Sequence, residues 1–292
     1  MTQIDPARGS RWQRRALSVP PHAYFVVSAV FHYLGPAFAV LLFARVDVLG
    51  VAWLRIASAG LVFAVWRRPW AAWSELSGNL RRTVMWWGVV LAGMNSSFYI
   101  AIDRLPLSTV AAVEFIGPIL LAALGIRSRR NALALVLCGT GVYVLTGIRL
   151  ESQPLGLAFA FVNAGLFTLY IVLGHRVAQT GPARSIDFLG ISMLVAAVVA
   201  APMGIWHAGG ALLDPVALLA GAGVGISSSV IPYVSDQLAL GRLARSTYAL
   251  FVSLLPATAI VVGVFVLTQI PSGAEIAGVA LVIAGVAVHE RQ

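Results

Sequence analysis

The chain has 292 residues, of which 59% are hydrophobic and 11% charged, and its net charge of +9 rests on arginine because no lysine occurs. Soluble domains carry roughly a quarter charged residues, so this composition excludes a water-soluble core and makes lipid the solvent. The arginines sit in short loops between apolar runs, where membrane orientation explains them and nucleic-acid binding does not.

Residues 1–21 form an arginine-rich tail holding Arg8, Arg11, Arg14 and Arg15. It reads as a solvated cytosolic segment, with anionic lipid headgroups as a second role. Ala37-Phe38-Ala39 has the form of a signal cleavage site. The apolar run continues past it to Ala44, which favours a retained first span.

A helical span needs about twenty apolar residues. Runs at 22–44, 48–66, 83–102, 107–126, 131–148, 154–174, 184–203, 215–240, 246–268 and 273–289 meet that length closely enough to predict ten transmembrane helices. The expected fold is an all-α integral membrane protein. With the N-terminus in the cytosol, the outer loops hold only Arg45, Arg104 and Arg149, and the other loop and tail arginines lie inside. That asymmetry predicts both termini cytosolic.

In chain order, the first span carries His32, Tyr33 and the pair Gly35-Pro36. A buried histidine bonded to a neighbouring helix and a titrating cavity residue are both open readings of His32. The second span carries Arg55, read as a structural or coupling charge or as a holder of a cargo carboxylate. Trp86 and Trp87 read as interface-belt residues. Asn95 and Asn163 suit either an interhelical hydrogen bond or a zwitterion.

Glu114 is the single acid of the fourth span. An ionised side chain at mid-membrane costs roughly 2.5–3.5 kcal/mol on insertion scales, so it needs a partner, a cavity or a function. Arg55 and Glu114 each lie about seven residues from the outer face, roughly 10 Å of helical rise, and are expected to be able to meet. One reading is therefore a structural salt bridge. The other is a carboxylate that faces a cavity and holds a proton in one state and cargo in another.

Cys138 lies in an apolar run. As the single cysteine it permits neither an intrachain disulfide nor a CxxC metal site, so neither a metal nor a cofactor is expected. Asp236 lies near the inner surface, paired with Arg242 or acting as a gate contact. Tyr33, Phe98, Tyr99, Phe115, Phe167, Tyr170 and Tyr233 are candidates for an aromatic wall. Ala217, Gly221, Gly225 and Ser229 recur every four residues and form a smooth stripe for close helix contact. Pro36, Pro118, Pro232 and Pro256 each remove a backbone bond within a span and are candidate hinges.

An internal repeat organises these runs. Residues 101–118, AIDRLPLSTVAAVEFIGP, align with 239–256, ALGRLARSTYALFVSLLP, with Arg104/Arg242, Ser108/Ser246, Thr109/Thr247 and Pro118/Pro256 in register. The copies are five spans apart. Five is odd, so the halves, 22–150 and 151–292, are expected as two inverted five-helix repeats, the second ending in a short cytosolic tail.

GMNSSFYIAIDRLPLSTVAAVEFIGPILLAAL (93–124) resembles the EamA repeat of the drug/metabolite transporter superfamily, and its Gly-Met-Asn opening and Glu-Phe-x-Gly-Pro core look most like the threonine/homoserine exporter branch. VAWLRIASAGLVF (51–63), FTLYIVLGHR (167–176) and SSSVIPYVSDQLAL (227–240) resemble that family's second, sixth and eighth helices. Phe167 stands where tryptophan is usual, and the first span with His32 and Gly35-Pro36 departs from the family pattern.

The resemblance implies a bacterial inner-membrane secondary exporter, not an enzyme. It would work by alternating access and antiport, with coupling to protons, as a monomer or homodimer among membrane lipids. The implied cargo is small amino acids or related metabolites. Aromatic amino acids or cationic drugs are the alternative cargo. A membrane-embedded lipid or prenyl transferase is a different class, but the eleven acids show no D-x-x-x-D or H-E-x-x-H grouping. The cargo site implied comprises Glu114, Asn95, His32, Tyr33, Tyr99, Phe115, Asn163, Phe167, Tyr170 and Tyr233.

Overall fold

The structure is a computed structural model that describes residues 20–74, 76–117, 128–149, 153–240 and 255–288, and every regular element among them is helical. The helices are α1 (Pro21–Leu42), α2 (Val48–Arg67), α3 (Gly78–Ile102), α4 (Leu107–Glu114), α5 (Arg129–Arg149), α6 (Pro154–Ala178), α7 (Pro182–Ala208), α8a (Pro215–Gly225), α8b (Ile231–Leu240), α9 (Leu255–Leu267) and α10 (Gly273–Val288). Their ends fall close to the edges of the apolar runs. A one-turn helix, Trp70–Trp73, and a 3₁₀ segment, Gly209–Leu213, add two loop elements that hydropathy does not predict.

Local chemistry starts these helices. Proline opens α1, α6, α7 and α8a, at the position where a missing N–H does no harm. The Asp47 carboxylate accepts the Leu49 N–H at 3.1 Å to cap α2. Ser272 and Glu275 form a reciprocal capping box on α10, with bonds of 2.9 and 3.2 Å. The first N–H of α4, from Leu107, donates 3.1 Å to Gln269 Oε1 in the loop between α9 and α10.

Five helical stretches are long and apolar enough to cross a membrane: Val48–Arg67, Gly78–Ile102, Pro154–Ala178, Arg184–Leu213 and Pro215–Asp236. Three shorter apolar helices, Val26–Leu42, Leu255–Leu267 and Gly273–Val288, join them. The expectation of ten full spans is thus met only in part. The fourth run continues into residues 118–127 and the ninth begins before 255, outside the described residues, and Pro118, Arg242 and most of the second repeat copy lie there too. α5 has the length, but Arg129, Arg130 and Asn131 at its start and Arg149 at its end dilute its apolar character.

The packing has a regular pattern. α2 lies along α7, α5 along α10, and α4 against α9. α3 packs on α6 and α8b on α1, α3 also meets α7 while α2 meets α8a, and α4 meets α6 while α9 meets α1. Shifting the helix number by five converts each of these contacts into another on the list or into itself. The α2–α7 pair is tied along its whole length by Asp47 to His207 Nδ1 at 3.0 Å, Trp53 Nε1 to the Ala197 carbonyl at 3.0 Å, and Arg67 Nε to Asp187 Oδ1 at 2.7 Å.

The eighth span is interrupted. Between α8a and α8b, Ile226–Val230 forms a π turn. Pro232 has no N–H for the carbonyl of residue 228 and its ring crowds that oxygen, and such interruptions widen a helix locally. The small-residue stripe upstream works as expected. A Cβ on Gly225 would stand 2.6 Å from the Arg55 carbonyl oxygen, so the α2 backbone needs the glycine there. On the other side of the π turn, a Cβ on Gly35 of α1 would stand 2.6 Å from the Ser228 nitrogen. Gly35-Pro36, unmatched in the family pattern, is where α1 crosses the break in the eighth span.

Candidate functional site

Glu114 ends α4 and is buried, 4% exposed. Its Oε1 accepts a 3.1 Å hydrogen bond from Nδ2 of Asn163 on α6, which is fully buried. Its Oε2 makes no hydrogen bond within the described residues. The Asn163 carbonyl oxygen also has no partner among the described residues, although sealed from solvent. A lone amide donor therefore holds the acid, and two acceptor oxygens remain unused beside it. Unpaired polar groups in an apolar interior are costly, and here they gather in one place.

Arg55 does not pair with Glu114. Its Nε donates to Ser229 Oγ and its Nη2 to the Ser228 carbonyl, both at 2.9 Å, and its guanidinium lies 5.4 Å from the centre of the Tyr99 ring. The expected salt bridge is replaced by an anchor on the π turn. Equal depth let the two charges meet, but they face different neighbours around the bundle. They still belong to one electrostatic unit, because Arg55 lies within coulombic reach of Glu114, His32, Tyr99 and Tyr233.

Two phenols in this interior make no well-aligned hydrogen bond among the described residues, Tyr33 on α1 and Tyr99 on α3, both 0% exposed. Tyr33 stands within coulombic reach of Glu114. Arg55 and Ser228 stand beside the Tyr99 hydroxyl, and the Ser228 hydroxyl is itself unpartnered and buried.

The aromatic wall is present in part as a continuous ladder. Phe115 meets Phe167 edge-on at 6.5 Å, Phe167 stacks on Tyr170 at 6.1 Å, and Tyr170 meets Tyr233 at 5.9 Å. Trp87 extends it by stacking on Tyr170 at 5.5 Å. Trp87 is 1% exposed and is a core residue, whereas its neighbour Trp86 is 63% exposed. Phe98 packs with Tyr99 at 6.0 Å, away from the ladder.

Other expected residues stand apart. Asn95 is buried but its Nδ2 donates to Leu91 of its own helix at 2.8 Å, not across helices. His32 is half-buried and packs edge-on to Tyr33 at 5.3 Å, with no hydrogen bond to a neighbouring helix among the described residues. Asp236 accepts a 2.5 Å hydrogen bond from Ser28 Oγ of α1. Pro36 lies inside α1 and Pro256 in the first turn of described α9. Among the described residues no group of His, Cys, Asp and Glu could hold a metal. Cys138 is buried and donates weakly to the Val282 carbonyl. Sequence reasoning missed Ser228, Ser229, Ser28 and Trp87. For Ser228 a signal existed, since it lies four residues before Pro232.

An acid and an arginine buried in a bundle of apolar, membrane-length helices define a multi-pass membrane protein with a polar interior. The EamA-like transporter family matches residues 154–289. The chain is 30% identical over 254 residues to the threonine/homoserine exporter RhtA of Salmonella typhimurium (strain LT2) and to that of Escherichia coli (strain K12), with 86% of this chain and 84% of each relative covered. The chain belongs to the EamA-like transporter family, and it is a transporter and not an enzyme. A crystal structure 21% identical in sequence matches with a TM-score of 0.60 over 91% of this chain and 96% of that one, a likeness of fold.

Proposed function

We propose that the protein is a secondary exporter of small amino acids of the threonine and homoserine type, working by proton-coupled alternating access in a bacterial inner membrane. The single observation that carries this reading is Glu114, a buried carboxylate with one neutral donor and one unused oxygen. Such a group suits an ammonium or a proton in turn. The names of the relatives support the cargo class.

Ten spans arranged as inverted repeats, 22–150 and 151–292, with both termini cytosolic, are the architecture in which this site would operate. The five-step regularity of the packing supports it, and so does the arginine asymmetry. Pro36, Pro118, Pro232 and Pro256 would provide the flexion. The aromatic ladder favours a second cargo reading, aromatic amino acids or organic cations, because ring faces attract cations.

The test is counterflow in proteoliposomes with labelled threonine, homoserine, phenylalanine and a quaternary ammonium, with and without an imposed proton gradient. Threonine or homoserine exchange that rises with the gradient is expected. Transport of phenylalanine or the quaternary cation alone would replace the cargo assignment. Cysteines introduced at Ser77 and Ser152 in a Cys138→Ala background check orientation, and Ser77→Cys labelled by an impermeant reagent from outside would reverse it.

A further inference from the structure

The eighth span contains an arithmetic coincidence. In an α-helix the carbonyl of residue 228 accepts the N–H of residue 232, and residue 232 is proline. The Ser228 carbonyl therefore lacks its α-helical donor, and the Arg55 guanidinium supplies one through Nη2 at 2.9 Å. Nε is used by Ser229 Oγ at 2.9 Å. Nη1 makes no hydrogen bond within the described residues. Around the same guanidinium are two buried hydroxyls, Tyr99 and Ser228, 0% and 1% exposed, which stand beside Arg55 and each other but make no well-aligned hydrogen bond among the described residues. The Tyr99 ring backs the cation at 5.4 Å.

We infer that Pro232 is the positioning residue of a carboxylate subsite, in which Arg55, anchored on the Ser228 carbonyl, offers its remaining nitrogen together with the Tyr99 and Ser228 hydroxyls to an anionic group.

The physical argument has two halves. A guanidinium free to rotate would lose entropy on gripping an anion; one held by two of its three nitrogens and a ring is already oriented. Two N–H of Nη1, one of Nη2 and the two hydroxyls make five unused donor hydrogens, and a carboxylate offers about four lone-pair positions, so one carboxylate satisfies most of the orphans at this pole. Glu114 is not that carboxylate in this structure, because the Arg55 nitrogens bond Ser229 and Ser228 and not the acid. Anchor and subsite are separable: the anchor is a property of the empty protein, and the subsite is a property of what enters it. The subsite rests on the transport reading above and assigns it the end of the cargo opposite the amino group. The anchor does not rest on that reading.

The experiment has two arms on the purified full chain in detergent. In the first, melting temperatures are compared for wild type, Arg55→Leu, Pro232→Ala and the double variant. Pro232→Ala returns an N–H to the Ser228 carbonyl. It is therefore expected to restore about half of the melting temperature lost in Arg55→Leu, because the Ser229 hydroxyl stays without its donor. A double variant no more stable than Arg55→Leu overturns the anchor. In the second, binding of L-threonine, L-homoserine and L-phenylalanine is compared with that of the corresponding amino alcohols, which lack only the carboxylate. Wild type is expected to prefer at least one acid by tenfold or more. Tyr99→Phe and Ser228→Ala are each expected to lower that ratio about threefold or more with their melting temperatures nearly unchanged. No preference for any acid over its alcohol overturns the subsite, as does an unchanged ratio in both variants. Preference for phenylalanine alone supports the subsite and overturns the threonine-type cargo.

Discussion

The interior has an acidic pole and a basic pole, and they are held differently. Glu114 rests at the end of a short described helix on one hydrogen bond from a neutral amide. Arg55 lies within the twenty-residue α2, joined to the eighth span by two bonds and backed by a ring. The difference teaches which charge is free to change partners. Breaking one neutral bond releases the acid. Releasing the base strips a carbonyl and a hydroxyl of their donor inside an apolar bundle, a penalty of about 1–3 kcal/mol for each group left unsatisfied. In the proposed transport cycle the acid would be the exchanging partner and the base the fixed one.

The largest effect expected of any change is at the acid. Glu114→Gln keeps the size and can still bond Asn163, but removes the charge. Export should fall by at least about 100-fold, the scale of an essential proton-transfer or charge-pairing group, while the melting temperature stays near wild type. Counterflow and thermal unfolding on one preparation check both halves. Wild-type transport with unchanged pH dependence would break the comparison, because the acid would then be as structural as the base.

Arg55→Leu should act on the fold first. We expect about 3 kcal/mol of lost stability, read by thermal unfolding, because the Ser228 carbonyl and the Ser229 hydroxyl both lose their donor. A stable but inactive Arg55→Leu would reverse the assignment of fixed and exchanging charges.

Gly35→Ala sharpens the basic side. The added Cβ would run into the Ser228 backbone, pushing α1 off the π turn for about 1–2 kcal/mol. No loss would mean that this crossing does not brace the anchor. The smallest effect should come from Asp187→Asn. Its pair with Arg67 sits at a rim, with side chains 19% and 16% exposed, where such pairs are worth under about 1 kcal/mol. Unfolding of that variant should be nearly unchanged and less salt-sensitive.

Much of this was legible in the chain. The apolar runs mark the helix edges closely, because burial of a backbone in lipid leaves few alternatives to a helix. Glu114 stood out because an acid in an apolar run is conspicuous. The stripe Ala217, Gly221, Gly225, Ser229 was readable because i, i+4 spacing keeps one face. What stayed hidden is azimuth. Depth counting puts Arg55 level with Glu114 but says nothing of which neighbour each faces. Likewise Trp86 and Trp87 share a depth, yet neighbouring positions point about 100° apart on a helix, so one is exposed and the other lies in the core. Asn95 shows a third limit. A side chain able to bond across helices can also bond its own previous turn, and here it does.

The two side-chain pairs at the ends of the α2–α7 pair have an electrical consequence. Asp47 and Arg67 are twenty residues apart, about 30 Å of helix, which is the thickness of a bilayer's hydrocarbon core. With α2 upright in a bilayer they would mark where the voltage drop begins and ends. Arg55 lies eight residues from Asp47, about 12 Å in, or roughly four-tenths of the way. A charge entering from the Asp47–His207 end to the level of the interior site would cross about that fraction of the field, worth roughly 0.9 kcal/mol per 100 mV. A neutral zwitterion would cross it at no electrical cost, so the membrane potential would act on the driving ion and leave the cargo untouched.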